Sequence, residues 1–101
     1  MAKIVLVIDD DPDVCETLSL RLETFGYQMV SAANGTIGIA KAEEIKPDLI
    51  FLDYTMPGES GFEVLKKLKS ETSEAVRKIP VVMLTGNEQY EKQCLEAGAQ
   101  T

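Results

Sequence analysis

The sequence predicts an α/β domain, a doubly wound parallel sheet, and three observations predict it. Three short runs, KIVLVID (3–9), DLIFLD (48–53) and PVVMLT (80–85), are continuously apolar and rich in branched residues. Runs without polar alternation suit strands covered on both faces, as parallel strands are. Helical patterns separate the runs, and strict alternation of strand and helix argues for parallel strands joined by right-handed crossovers. Finally, 101 residues with 45% hydrophobic and 27% charged side chains fit one small globular domain, spanning 1–101, and leave no room for a second.

The elements follow in order. The run from Lys3 to Asp9 is expected to be the first strand and not a signal peptide, since it is short, has no cleavage-type sequence after it and runs straight into acid. PDVCETLSLRLETF (12–25) is a helix with Val14, Leu18, Leu22 and Phe25 on one face. Asp11 is placed to cap it, Pro12 to begin it and Gly26 to stop it. A weaker second strand, YQMVSA (27–32), comes next, then a short helix over 36–45 ended by Lys46-Pro47. The third strand covers 48–53. FEVLKKLK (62–69) is a helix that buries Phe62, Leu65 and Leu68 and turns Lys66, Lys67 and Lys69 to water. Residues 70–78 read as a surface loop or frayed helix end, 80–85 as the fourth strand, and 87–97 as a weak helix stopped by Gly98. The flavodoxin-like order for four such strands is 2-1-3-4, which sets the first, third and fourth side by side with a crevice at their carboxyl ends.

Those three strands all end in oxygen: Asp9 and Asp10, Asp53, and Thr85. Aspartate is disfavoured within strands, so strand stability does not ask for it. Helix capping accounts for one such residue taken alone; three adjacent strand ends together point to a ligand. Clustered carboxylates repel one another, and a divalent cation removes that penalty. Hard oxygen donors suit Mg2+, which keeps open positions for phosphate oxygens. A carboxylate beside such an ion can act as nucleophile and form an acyl phosphate. Thr85 can hydrogen-bond a phosphoryl oxygen, and Gly86 offers a bare backbone N–H. The loop DYTMPGESG, with Pro57, Gly58 and Gly61, turns sharply and lets backbone groups approach a ligand.

VLVIDDDPD, KPDLIFLDYTMPGESG, IPVVMLTG and EAGA, in that order, resemble the receiver domain of bacterial two-component response regulators. The resemblance implies that Asp53 accepts a phosphoryl group from a phosphohistidine on a histidine kinase or phosphotransfer protein. It implies that Asp10 binds magnesium directly and Asp9 mainly through water, and that Thr55 supplies a backbone carbonyl. Thr85 would be the switch hydroxyl. Thr55 and Asn87 would tune how readily water attacks the acyl phosphate. The expected protein is a cytoplasmic switch domain and not a turnover enzyme.

The chain departs from the family pattern after EAGAQT, where a fifth strand, a phosphoryl-pairing lysine and a fifth helix would follow. A receiver domain truncated after its fourth helix would expose the fourth strand as an apolar edge, and a homodimer or domain swap through it is expected. The absent lysine keeps a second function in view, a phosphorylation-independent interaction module. A magnesium phosphatase of the haloacid dehalogenase type fits less well, since Asp13 stands where its motif needs threonine. The formal net charge of −7 disfavours direct contact with nucleic acid, and no run is long enough to cross a membrane. Cys15 and Cys94 match no metal or redox spacing and read as small, half-buried apolar residues.

Overall fold

Four apolar strands with little need for water on either face line up between helices. The computed structural model describes residues 3–56 and 58–84. Along the chain these form β1 (Ile4–Ile8), α1 (Pro12–Thr24), β2 (Gln28–Ala32), α2 (Gly35–Ile45) and β3 (Leu49–Asp53). There follow β4 (Thr55–Met56), β5 (Glu59–Ser60), α3 (Gly61–Ser70), α4 (Glu74–Arg77) and β6 (Val81–Leu84). The main sheet is parallel throughout, in the order β2-β1-β3-β6, which is the expected order with β6 as the fourth long strand. The predicted helix over 87–97, Cys94 and the EAGAQT end lie outside the described residues.

Alternation of side chains along each strand divides the core in two. Leu6 and Ile8 of β1, Ile50 and Leu52 of β3 and Val81 of β6 face the same side. There they pack with Ala42 of α2, Val64, Leu65 and Leu68 of α3 and Val76 of α4, all essentially buried. On the other face Val5 and Val7 are buried, but Phe51, Val82 and Leu84 are only half-buried. The helix on that side, α1, contributes Val14, Leu18 and Leu22, each half-buried, and has no fully buried residue.

Local chemistry sets the helix boundaries. Asp11 caps α1 and Pro12 begins it, as expected, while Gly26 follows its end with φ of 85°. Asn34 caps α2 by accepting the Ile37 N–H at 2.9 Å, which starts that helix one residue earlier than the periodicity implies. Ser60 caps α3 by accepting the Glu63 N–H at 3.3 Å. Among the described residues no helix is long and apolar enough to cross a membrane.

Three expectations need correction. Phe25 is not on the buried face of α1; it is the C-cap residue and 78% exposed, because the helix stops before another turn can carry it inward. Lys69 does not face water: its Nζ donates to Arg77 O at 3.2 Å and Ile79 O at 2.8 Å, and burial pulls its pKa down. Residues 74–77 are a short helix rather than loop, with Val76 buried and Ser73 as N-cap. The sharp turn expected after β3 is built as a small hairpin, in which β4 and β5 pair antiparallel, Thr55 with Ser60 and Met56 with Glu59.

Two contacts outside the sheet yield predictions. Gly38 on α2 lies against Ile8, and a Cβ there would come within 2.5 Å of Ile8 Cδ1 and 2.7 Å of its Cγ1. Gly38→Ala gains about 1 kcal/mol of helix propensity. Overpacking against a fully buried Ile8 costs about 1–3 kcal/mol and wins. A net loss of about 1 kcal/mol is expected in urea unfolding. The Glu43 carboxylate joins α2 to α4 by accepting the Ser73 hydroxyl at 2.6 Å and the Ser73 N–H at 3.1 Å. These hydrogen bonds, and then the Lys46 charge, hold its pKa below the ordinary glutamate value. A lowered folded-state pKa means the clasp stabilises fully above the unfolded-state pKa and is lost as pH falls through the folded value. Glu43→Gln is therefore expected to flatten the acid limb of a plot of Tm against pH, leaving the limb above neutrality unchanged in slope.

Candidate functional site

The site begins where β1 runs out of apolar residues. The Asp9 N–H still donates to Ala32 O at 3.0 Å, so Asp9 continues the sheet as the chain leaves it. Its side chain is buried, 6% exposed, and its Oδ1 accepts the Asp11 N–H at 2.9 Å. Asp11 repeats the move one step on, its Oδ1 accepting the Asp13 N–H at 2.9 Å. Two linked turns thus join strand to helix and leave the Asp10 side chain exposed at the rim.

Asp53, half-buried, ends β3 beside β1. One carboxylate oxygen from each of Asp9, Asp10 and Asp53 lies within 4.8 Å of the others. At that spacing each charged pair repels by about 3 kcal/mol at an effective dielectric of about 20. Three hard oxygen donors this close, from residues that strand packing does not require, form a set suited to a small divalent cation.

A close backbone approach also marks the end of β3 at Asp53. The Gly61 N–H donates to Tyr54 O at 2.6 Å, drawing the first residue of α3 onto the end of β3. A Cβ at Gly61 would overlap Asp53 O and come within 2.7 Å of Tyr54 Cα. Only glycine fits there, and the β4–β5 hairpin returns the chain to that point.

A groove of about 490 Å³ opens beside the cluster, lined by Asp9, Asp13, Val14, Thr17, Leu18, Asp53 and Leu84. Cys15, one turn into α1, places its Sγ 3.7 Å from Asp9 O. Burial, and then the charges of Asp9, Asp11 and Asp10, push its thiol pKa up, which suits a packing residue and not a nucleophile.

Asp9, Asp10 and Asp53 are therefore brought together as the sequence implied. Thr55 sits in β4, two residues beyond Asp53. Thr85, Gly86 and Asn87 lie outside the described residues. The α1 residues of the groove were not foreseen as part of a site. The signal for them is the short β1–α1 connection: a helix that starts within a few residues of the strand end must set its first two turns over that edge.

The chain matches the response regulator receiver domain family model over residues 5–101. It is 39% identical to the phosphate regulon transcriptional regulatory protein PhoB of Pseudomonas aeruginosa, over 98% of this chain and 43% of that protein. It is 37% identical to the protein PilH of the same organism, over 84% of this chain and 69% of that protein. The chain thus spans less than half the length of the PhoB relative. Among solved structures, the chemotaxis protein CheY4 of Vibrio cholerae shares the fold with a TM-score of 0.88 at 27% identity, covering 99% of this chain and 83% of that one.

The approach at Gly61 is tested by Gly61→Ala. Backbone atoms, rather than the end of a side chain, stand in the way. A loss of about 3 kcal/mol in chemical unfolding is expected, more than for Gly38→Ala.

Proposed function

Because the chain belongs to the response regulator receiver domain family, we propose that it is a phosphoacceptor switch in a two-component relay. In this reading Asp53 takes a phosphoryl group from a phosphohistidine on a histidine kinase or phosphotransfer protein. Receiver domains are generally regulatory, and a single transfer to Asp53 makes this one a switch rather than a turnover enzyme. The observation that carries the proposal is the convergence of Asp9, Asp10 and Asp53 oxygens within 4.8 Å at the carboxyl edge of the sheet.

The donor set fits Mg2+. Its bonds to oxygen are about 2.1 Å, so opposite ligands of one ion lie about 4.2 Å apart. A triangle reaching 4.8 Å accommodates two direct carboxylates and a third acting through water. Asp10 and Asp53 would be the direct ligands, with the Thr55 carbonyl. Asp9, buried and already accepting the Asp11 N–H, would hold water. When bound, the ion neutralises charge on the phosphoryl oxygens during transfer.

The chain's own residues do the rest. Asp53 supplies the attacking oxygen, kept in line by β3 and by the Gly61 contact. Asp9 and Asp10 keep the edge negative enough to demand a cation. Thr85 would hydrogen-bond the phosphoryl group and carry the change to the partner-binding face, and the Gly86 N–H would take a second phosphoryl oxygen.

Intact-mass measurement after incubation with Mg2+ and phosphoramidate tests this. One hydroxylamine-labile phosphoryl adduct is expected, absent in Asp53→Asn. Asp10→Ala is expected to weaken Mg2+ affinity by more than about tenfold, since a direct ligand should matter at least as much as an outer-shell partner. A wild-type chain that gains no adduct at any donor concentration would instead be a phosphorylation-independent interaction module.

A further inference from the structure

The groove beside Asp53 carries a carboxylate that neither the metal set nor the fold requires there. Asp13 is in the first turn of α1, where its charge suits the helix dipole, but four of the groove's other residues are Asp9, Asp53, Val14 and Leu18. Its backbone N–H is held by Asp11, which fixes where the residue stands, and its side chain is exposed. The apolar side chains of Val14, Leu18 and Leu84 lower the polarity around it, so a charge at this rim is felt further than on an open surface.

We propose that Asp13 is a specificity-determining residue that biases Asp53 toward phosphodonors whose leaving group departs without negative charge. The inference rests on the phosphoacceptor reading above. Transfer forms a bond from an Asp53 carboxylate oxygen to phosphorus as the bond to the leaving group breaks. From acetyl phosphate, the P–O bond breaks and acetate leaves with the electron pair, as an anion. From phosphoramidate, the nitrogen is protonated beforehand, the P–N bond breaks and neutral ammonia leaves. Acetyl phosphate thus brings about one more unit of negative charge to the groove and sheds an anion into it. An exposed charge such as Asp13, acting on one extra unit of charge in the same groove, changes a rate about threefold.

The experiment measures the rate of adduct formation by intact mass, with Mg2+ and each donor in turn, and takes the ratio of acetyl phosphate to phosphoramidate. A ratio on one protein cancels any loss of folded material. At low ionic strength Asp13→Asn is expected to raise the ratio about threefold, Asp13→Glu to restore it, and Glu16→Gln, exposed on α1 outside the lining of the groove, to leave it unchanged. Salt near 1 M, where the Debye length is about 3 Å, should raise the wild-type ratio toward that of Asp13→Asn. An unchanged ratio in Asp13→Asn, or an equal rise in Glu16→Gln, overturns the inference and leaves the phosphoacceptor reading intact. A wild-type chain phosphorylated by neither donor overturns both.

Discussion

The structure depends on β1 being buried from Val5 to Ile8 and then ending in charge. Four consecutive side chains, at 1% exposure or less, fill both faces of the sheet centre. Fully burying each is worth about 1.5–3 kcal/mol, so the strand cannot slide by a residue without moving its aspartates into the core or its apolar residues into water. Asp9 is thereby held at the boundary, buried to 6% yet still hydrogen-bonded. Parallel pairing to β3 brings Asp53 to the same edge. The repulsion among the three carboxylates, summed over their three pairs, is of the same order as the burial of the four β1 side chains, so the sheet can hold them together and leave the site in need of a cation.

The two faces of the sheet serve different ends. The face under α2, α3 and α4 is sealed, and the Glu43–Ser73 clasp and the Lys69 bonds to Arg77 O and Ile79 O tie its helices and the entry to β6 together. The face under α1 is half-covered, and Asp53 ends β3 on that side, next to Phe51 and Leu84 in the alternation. A sealed face opposite an accessible one suits the proposed phosphoacceptor role, in which a phosphodonor must reach Asp53. The looser packing of α1 is what leaves a groove beside Asp53.

Much of this was legible in the residues because the long strands are buried on both sides and so read as continuous apolar runs. Asp11, Pro12 and Gly26 marked the limits of α1 by local chemistry that needs no tertiary context. What was not legible depends on contacts distant in sequence. The direction of Lys69 is decided by carbonyls eight and ten residues on, and α4 by Val76 finding the core. The β4–β5 hairpin hides in a stretch that turn residues alone describe equally well. Gly61 is visible as a glycine, but the need for it is visible only once Asp53 O is found where its Cβ would be.

The crowding of Asp9, Asp10, Asp11 and Asp13 resolves into a division of labour through one repeated device. The carboxylate of Asp9 takes the N–H of Asp11, and that of Asp11 takes the N–H of Asp13. Each bond satisfies a backbone donor at a helix start that would otherwise be orphaned, while fixing the backbone that carries the next side chain. Asp11 is thereby used up as a cap. Asp10 and Asp13, whose side chains these two bonds do not engage, are delivered to different places, one to the carboxylate cluster and one to the rim of the groove. A geometry fixed before any ligand arrives loses little entropy on binding. The strand-to-helix turn is therefore as much a part of the site as the carboxylates it presents.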